Sequence, residues 1–66
     1  MEEIDVWRTA AEMRRQFGAD AAIISGTRAD ALLDQGDIDG FNVWKRVVAA
    51  INELERAAPK DGEAIN

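Results

Sequence analysis

The sequence predicts an all-α protein, a small three-helix bundle followed by a short disordered C-terminal tail. Three observations carry that expectation. Apolar residues recur at helical spacing through three segments of the chain. Glycines at positions 18 and 36 punctuate those segments, each with an aspartate one or two residues further on. The one proline, Pro59, follows the last segment, where it cannot continue a helix. The spacing therefore divides the chain into a helical domain over 1–58 and a tail over 59–66, whose composition is that of a chain end.

The first helix is expected from about Ile4 to Phe17. Val6, Ala10, Met13 and Phe17 form one stripe at i, i+4, i+7 and i+11, and Ile4, Trp7 and Ala11 form a second beside it. Two adjoining stripes make a wide apolar arc, suited to a helix that touches two neighbours. Gly18 supplies a helix stop, and Asp20 is the expected N-cap of a second helix running to about Gln35. Gly36 then ends that helix and Asp37 caps the third, which should span about Ile38 to Ala57. In this last helix Phe41, Trp44, Val48 and Ile51 occupy heptad-like positions, and Leu54 continues the face. Two heptads are all there is, too few for a long coiled coil. The expected core is Trp7, Ala11, Phe17, Ile24, Leu32, Phe41, Trp44, Val48 and Ile51. Gly26 and Gly40 fall inside helices, where glycine costs up to ~1 kcal/mol relative to alanine. Close packing of a backbone or tryptophan ring against them is the expected compensation.

Sixty-six residues make one domain near the lower limit for an independent core. Its stability should be on the order of 3–10 kcal/mol. The chain has no cysteine and no histidine, so disulfides are excluded and the usual soft metal ligands are missing; no cofactor is expected. Oligomerisation is the remaining way to support so small a core. The acidic start Met1-Glu2-Glu3 lacks the pattern of a signal peptide, and no apolar run approaches the ~20 residues of a membrane span. A cytoplasmic protein is the expectation.

The net charge is −5, from 13 acidic and 8 basic side chains, which argues against a phosphate-backbone binder. Ser25, Thr9 and Thr27 have no histidine to act as base, so nucleophilic catalysis finds no support and no enzyme is expected. Asp37-Ile38-Asp39-Gly40 mimics part of a calcium loop, but the frame puts Arg46 where the bidentate glutamate must stand. The corner at Gly36 suggests a helix-turn-helix, yet the would-be reading helix opens with Asp37 and Asp39, which would face phosphates. Arg28 shares a face with Ile24 and Leu32, where burial is expected. It calls either for a partner such as Asp37 or helix-end carbonyls, or for a stem that covers apolar surface while its head reaches water. Arg28 and Asp37 are thus the candidate structural polar residues.

The strings Trp7-Arg8-Thr9-Ala10-Ala11, Arg28-Ala29-Asp30-Ala31-Leu32 and Gly36-Asp37 with Gly40, Trp44 and Arg46 resemble a known family. It comprises short alphaproteobacterial proteins grouped as a domain of unknown function, with W-R-A-A, R-A-D-x-L and G-D-x-x-G-x-x-x-W-x-R patterns. The resemblance spans about residues 6 to 56. It implies a small bacterial helical protein and brings no activity, ligand or catalytic residue with it.

The functional expectation is a protein–protein interaction or self-association module without catalytic activity. Val6, Met13, Ile23, Val43, Val47 and Leu54 exceed what three short helices should cover, and large exposed apolar patches mark interfaces. Val6, Met13, Val43, Val47 and Leu54 are the candidate interface residues. The expected partner is a second copy, as a dimer, or another protein. The alternative is a nucleic-acid-linked regulator, either a weak DNA binder or an acidic mimic using Asp34, Asp37 and Asp39.

Overall fold

The computed structural model describes residues 2–57, and every one of its regular elements is helical. Met1 and the expected tail over 59–66 lie outside the described residues, as does Ala58. Helix α1 spans Glu3–Phe17, helix α2 spans Ala21–Asp34 and helix α3 spans Ile38–Ala57. A 3-10 turn, Gly18–Asp20, joins the first two. The described chain is thus helical without interruption from residue 3 to 34. It forms two helical runs, not the three separated helices expected from two non-helical corners.

The start of α1 follows from its first turn. Glu2 is extended, with φ −65° and ψ 153°, and its carbonyl accepts from the N–H groups of Asp5 and Val6 at 3.0 and 3.1 Å. Glu3 and Asp5 place negative charge at the helix N-terminus, and Arg14 and Arg15 place positive charge at its C-terminus, as the helix dipole favours. Gly18 ends the helix with φ +56°, a value that L side chains rarely adopt, and its N–H donates to the Arg14 carbonyl.

Asp20 does not cap α2. Its φ of −89° and ψ of −2° are already near-helical, and its side chain makes no capping bond. Capping needs extended backbone at that residue. The 3-10 turn removes the need, because it feeds helical dihedrals straight into α2 and the Ala21 N–H donates to the Gly18 carbonyl.

The second corner behaves as its residues foretell. Gly36 takes φ +82°, its N–H donates to the Leu33 carbonyl at 2.9 Å, and the Asp37 N–H donates to the Leu32 carbonyl at 2.9 Å. These two bonds define a Schellman motif. Asp37 then caps α3, its Oδ1 accepting from the Gly40 N–H at 2.9 Å. A Cβ on Gly40 would stand 2.6 Å from Asp37 Oδ2, so the glycine leaves room for the capping carboxylate. The nearest atoms at this position belong to the Asp37 side chain, not to the expected tryptophan ring or backbone. At Gly26 nothing lies within 4 Å of a built Cβ, so close packing does not explain that residue either.

The core is made by Val6, Ala10 and Met13 of α1, Ala21, Ser25 and Ala29 of α2, and Val47, Ala50 and Ile51 of α3. Helix α3 is the common wall, packed most extensively against α2 and then against α1. Four of these nine residues are alanines and a fifth is Ser25, so the helix backbones approach closely and leave little room for rings. This corrects the expected core. Ile51 is fully buried as expected, a burial that stabilises by about 1.5–3 kcal/mol. Phe17, Ile24 and Trp44 pack against the core from its edge, and Leu32, Phe41 and Val48 are half-buried. Trp7 and Ala11 are exposed. Helix α1 buries the Val6–Ala10–Met13 stripe and turns the Ile4–Trp7–Ala11 stripe outward.

Candidate interaction surface

Three of the five candidate interface residues are interior. Val6, Met13 and Val47 lie in the core at 2, 4 and 0% exposure, because their stripes are the ones the helices turn toward one another. Val43 is half-buried, and Leu54 is half-buried against the core. The surplus apolar surface lies elsewhere. Ile4 is 57% exposed, Trp7 37% and Ile23 71%, and Leu33 and Ile38 are exposed at the second corner. The signal for Ile4 and Trp7 was present in the sequence as the second stripe of α1. A helix lying across two short neighbours hides only one stripe fully.

Trp7 lines a groove between α1 and α3 together with Glu3, Val6, Arg46, Ala49, Ala50 and Glu53, enclosing about 180 Å³. Ala49 and Ala50 of α3 contribute to its lining, beside an indole that is about one-third exposed. Charges of both signs rim it. The Arg46 guanidinium donates to Glu3 Oε2 at 2.5 Å across the two helices, and Arg56 pairs with Glu53 at 2.9 Å. Arg8 lies 4.0 Å from Asp5. All of these side chains are substantially exposed, and such pairs contribute about 0–1 kcal/mol each.

A second concavity sits beneath the first corner, lined by Ala11, Arg14, Arg15, Gly18, Ala19 and Glu55. Beside it Arg15 and Gln16 converge on Glu12. Arg15 Nε donates to Oε1 at 2.9 Å, its terminal nitrogen donates to Oε2, and Gln16 Nε2 donates to Oε2 at 2.8 Å. The hydrogen bonds from Arg15, and then that from Gln16, hold the Glu12 carboxyl at about 2, well below its ordinary 4.5. The same pairing raises Arg15.

Among the described residues Arg28 finds no carboxylate, and it does not meet Asp37. It is exposed, with its guanidinium carbon 5.2 Å from the centroid of the Trp44 ring and a terminal nitrogen 3.8 Å from Met13 Sδ. Of the two readings of Arg28, the stem over apolar surface with a solvated head is the one observed. The stacking stabilises by about 0.5–1 kcal/mol. Asp37 is the cap it was expected to be.

Among the described residues no group of three or more acidic side chains is placed to hold a metal ion. Ser25 is fully buried, and its Oγ has no hydrogen-bond partner among the described residues. No described helix is long and apolar enough to cross a membrane. No model of a known family, no curated protein and no solved structure matches the chain.

Proposed function

We propose that this chain is a small cytoplasmic interaction module without catalytic activity, that it works as a three-helix bundle, and that it engages protein surface through the outer face of α1. The observation that carries this reading is Trp7. It is a large aromatic left outside a core rich in small side chains, with Ile4 on the same stripe and a groove beside it. Tryptophan is enriched among the few residues that carry most of the binding energy of protein interfaces. Protein is favoured over nucleic acid because the net charge is −5 and five of the eight cations are already engaged. Arg8, Arg15, Arg46 and Arg56 each pair with a carboxylate and Arg28 stacks on Trp44.

The patterns shared with the alphaproteobacterial family support membership in it, and the fold gives them structural duties. Gly36, Asp37 and Gly40 build the second corner, and Arg28 of one pattern stacks on Trp44 of another.

A photo-crosslinking residue placed at Ile4, in the producing cell, tests the reading against the same residue at Asp30, which is exposed on α2. Protein adducts at position 4 well above those at position 30 are expected. Equal yields at both, or none, would sink it.

A further inference from the structure

We infer that the occupant of the α1 face is a second copy of this chain, docked with its α1 antiparallel across a two-fold axis. The inference rests on the proposed function above and deepens it. Three apolar faces compete for the role. The exposed side of α2, with Ile23 and Leu33, is the most apolar, yet the charges on that helix and at the residue before it are Asp20, Asp30 and Asp34 against Arg28 alone. Antiparallel self-pairing of α2 brings Asp20 toward the partner's Asp34, and parallel pairing sets each aspartate against itself. Like charges brought together across an interface repel and select against that pairing. At the second corner, Leu33 and Ile38 sit among Asp34, Asp37 and Asp39, with the same result.

Helix α1 differs in being bipolar. Glu3 and Asp5 mark its first turn and Arg14 and Arg15 its last, while Ile4, Trp7 and Ala11 form the exposed stripe between them. A parallel pair would place acid on acid and arginine on arginine. An antiparallel pair places each acidic end on the partner's basic end, and it also opposes the two helix dipoles. A two-fold axis needs a surface complementary to itself, and of the three apolar faces compared this is the one that meets the condition. The pairs already present, Glu3 with Arg46 and Arg15 with Glu12, are solvent-exposed, so each can exchange for an intermolecular one.

The chain contains no cysteine, so single-cysteine variants at exposed positions report geometry directly. The purified full chain carrying Ile4→Cys is mixed with chain carrying Arg15→Cys under mild oxidation. The mixture is expected to form disulfide-linked dimer several-fold faster than either variant alone. A parallel pair would crosslink each variant with itself as fast as the mixture. Light scattering on the unmodified protein, over a hundredfold concentration range, is expected to show a dimer whose dissociation constant rises on the order of tenfold between low and moderate salt. Doubling the reversal with Arg14→Glu and Arg15→Glu should leave a helical monomer. Mixing it with the Glu3→Lys, Asp5→Lys variant should restore the dimer. A monomer at every concentration overturns the inference and, if position 4 still captures another protein, leaves the proposed function standing. A dimer without the mixed-crosslink preference overturns the geometry.

Discussion

The two corners of this protein turn the chain by different means. At residues 35–37 the turn is made by local chemistry: a left-handed glycine, two Schellman hydrogen bonds and a side-chain cap. At Gly18–Asp20 a positive-φ glycine is followed by a 3-10 turn without any side-chain cap, and the next residue, Ala21, is completely buried. The first corner is thus held by what packs behind it and the second by what its own residues do. Local chemistry can be read from five or six residues, whereas packing needs the whole fold.

That contrast can be broken experimentally, and the largest effect belongs to the packed corner. Ala21→Leu forces extra methylene groups into a site with no exposure and should destabilise by about 1–3 kcal/mol, read by urea denaturation. Gly36→Ala puts a Cβ on a residue at φ +82° and should cost about 1–2 kcal/mol from strain against its own backbone, with open space around it leaving no clash with other elements. Asp37→Ala removes the cap and should cost about 1 kcal/mol. The paired control, Asp20→Ala, should stay within about 0.5 kcal/mol of the parent, since that side chain caps nothing. Equal losses at the two aspartates would erase the distinction between the corners.

The smallest effect is a pH slope at the end of α1. Glu12 has a folded value of about 2, below its ordinary 4.5. Its contribution is therefore complete above about pH 4.5 and is lost as pH falls toward 2. Glu12→Gln should flatten the dependence of the denaturation midpoint on pH across that window. An unchanged slope would mean that the exposed Arg15 pairing contributes nothing measurable.

The sequence made the helices legible and the core only partly so. The expected span of α3 coincides with the observed one, because Gly36, Asp37 and the apolar period all point to the same boundary. The heptad reading of α3 found Ile51 but gave Phe41, Trp44 and Val48 more depth than they have. The reason is size. Side-chain volume suggested that the rings belong at the centre, but helices as short as these gain more by approaching closely over Ala10, Ala21, Ala29 and Ala50. Trp is rarely buried whole in any protein. For α1 both apolar stripes were visible, and nothing in the sequence distinguished the one that faces α3 from the one that faces water. Of the candidate interface residues on α1, Val6 and Met13 accordingly belong to the stripe that the fold buries.

The placement of the two tryptophans gives the molecule a pair of built-in optical reporters. Trp44 lies beneath a guanidinium between α2 and α3, while Trp7 borders a rim of mixed charge at the free edge of α1. Replacing each in turn with phenylalanine leaves a single emitter. One spectrum then follows the separation of the α2–α3 pair, and the other follows whatever covers α1. Coincident melting of the two signals would describe a molecule that comes apart as a unit; an earlier change at Trp7 would describe α1 as a latch that opens on a closed hairpin.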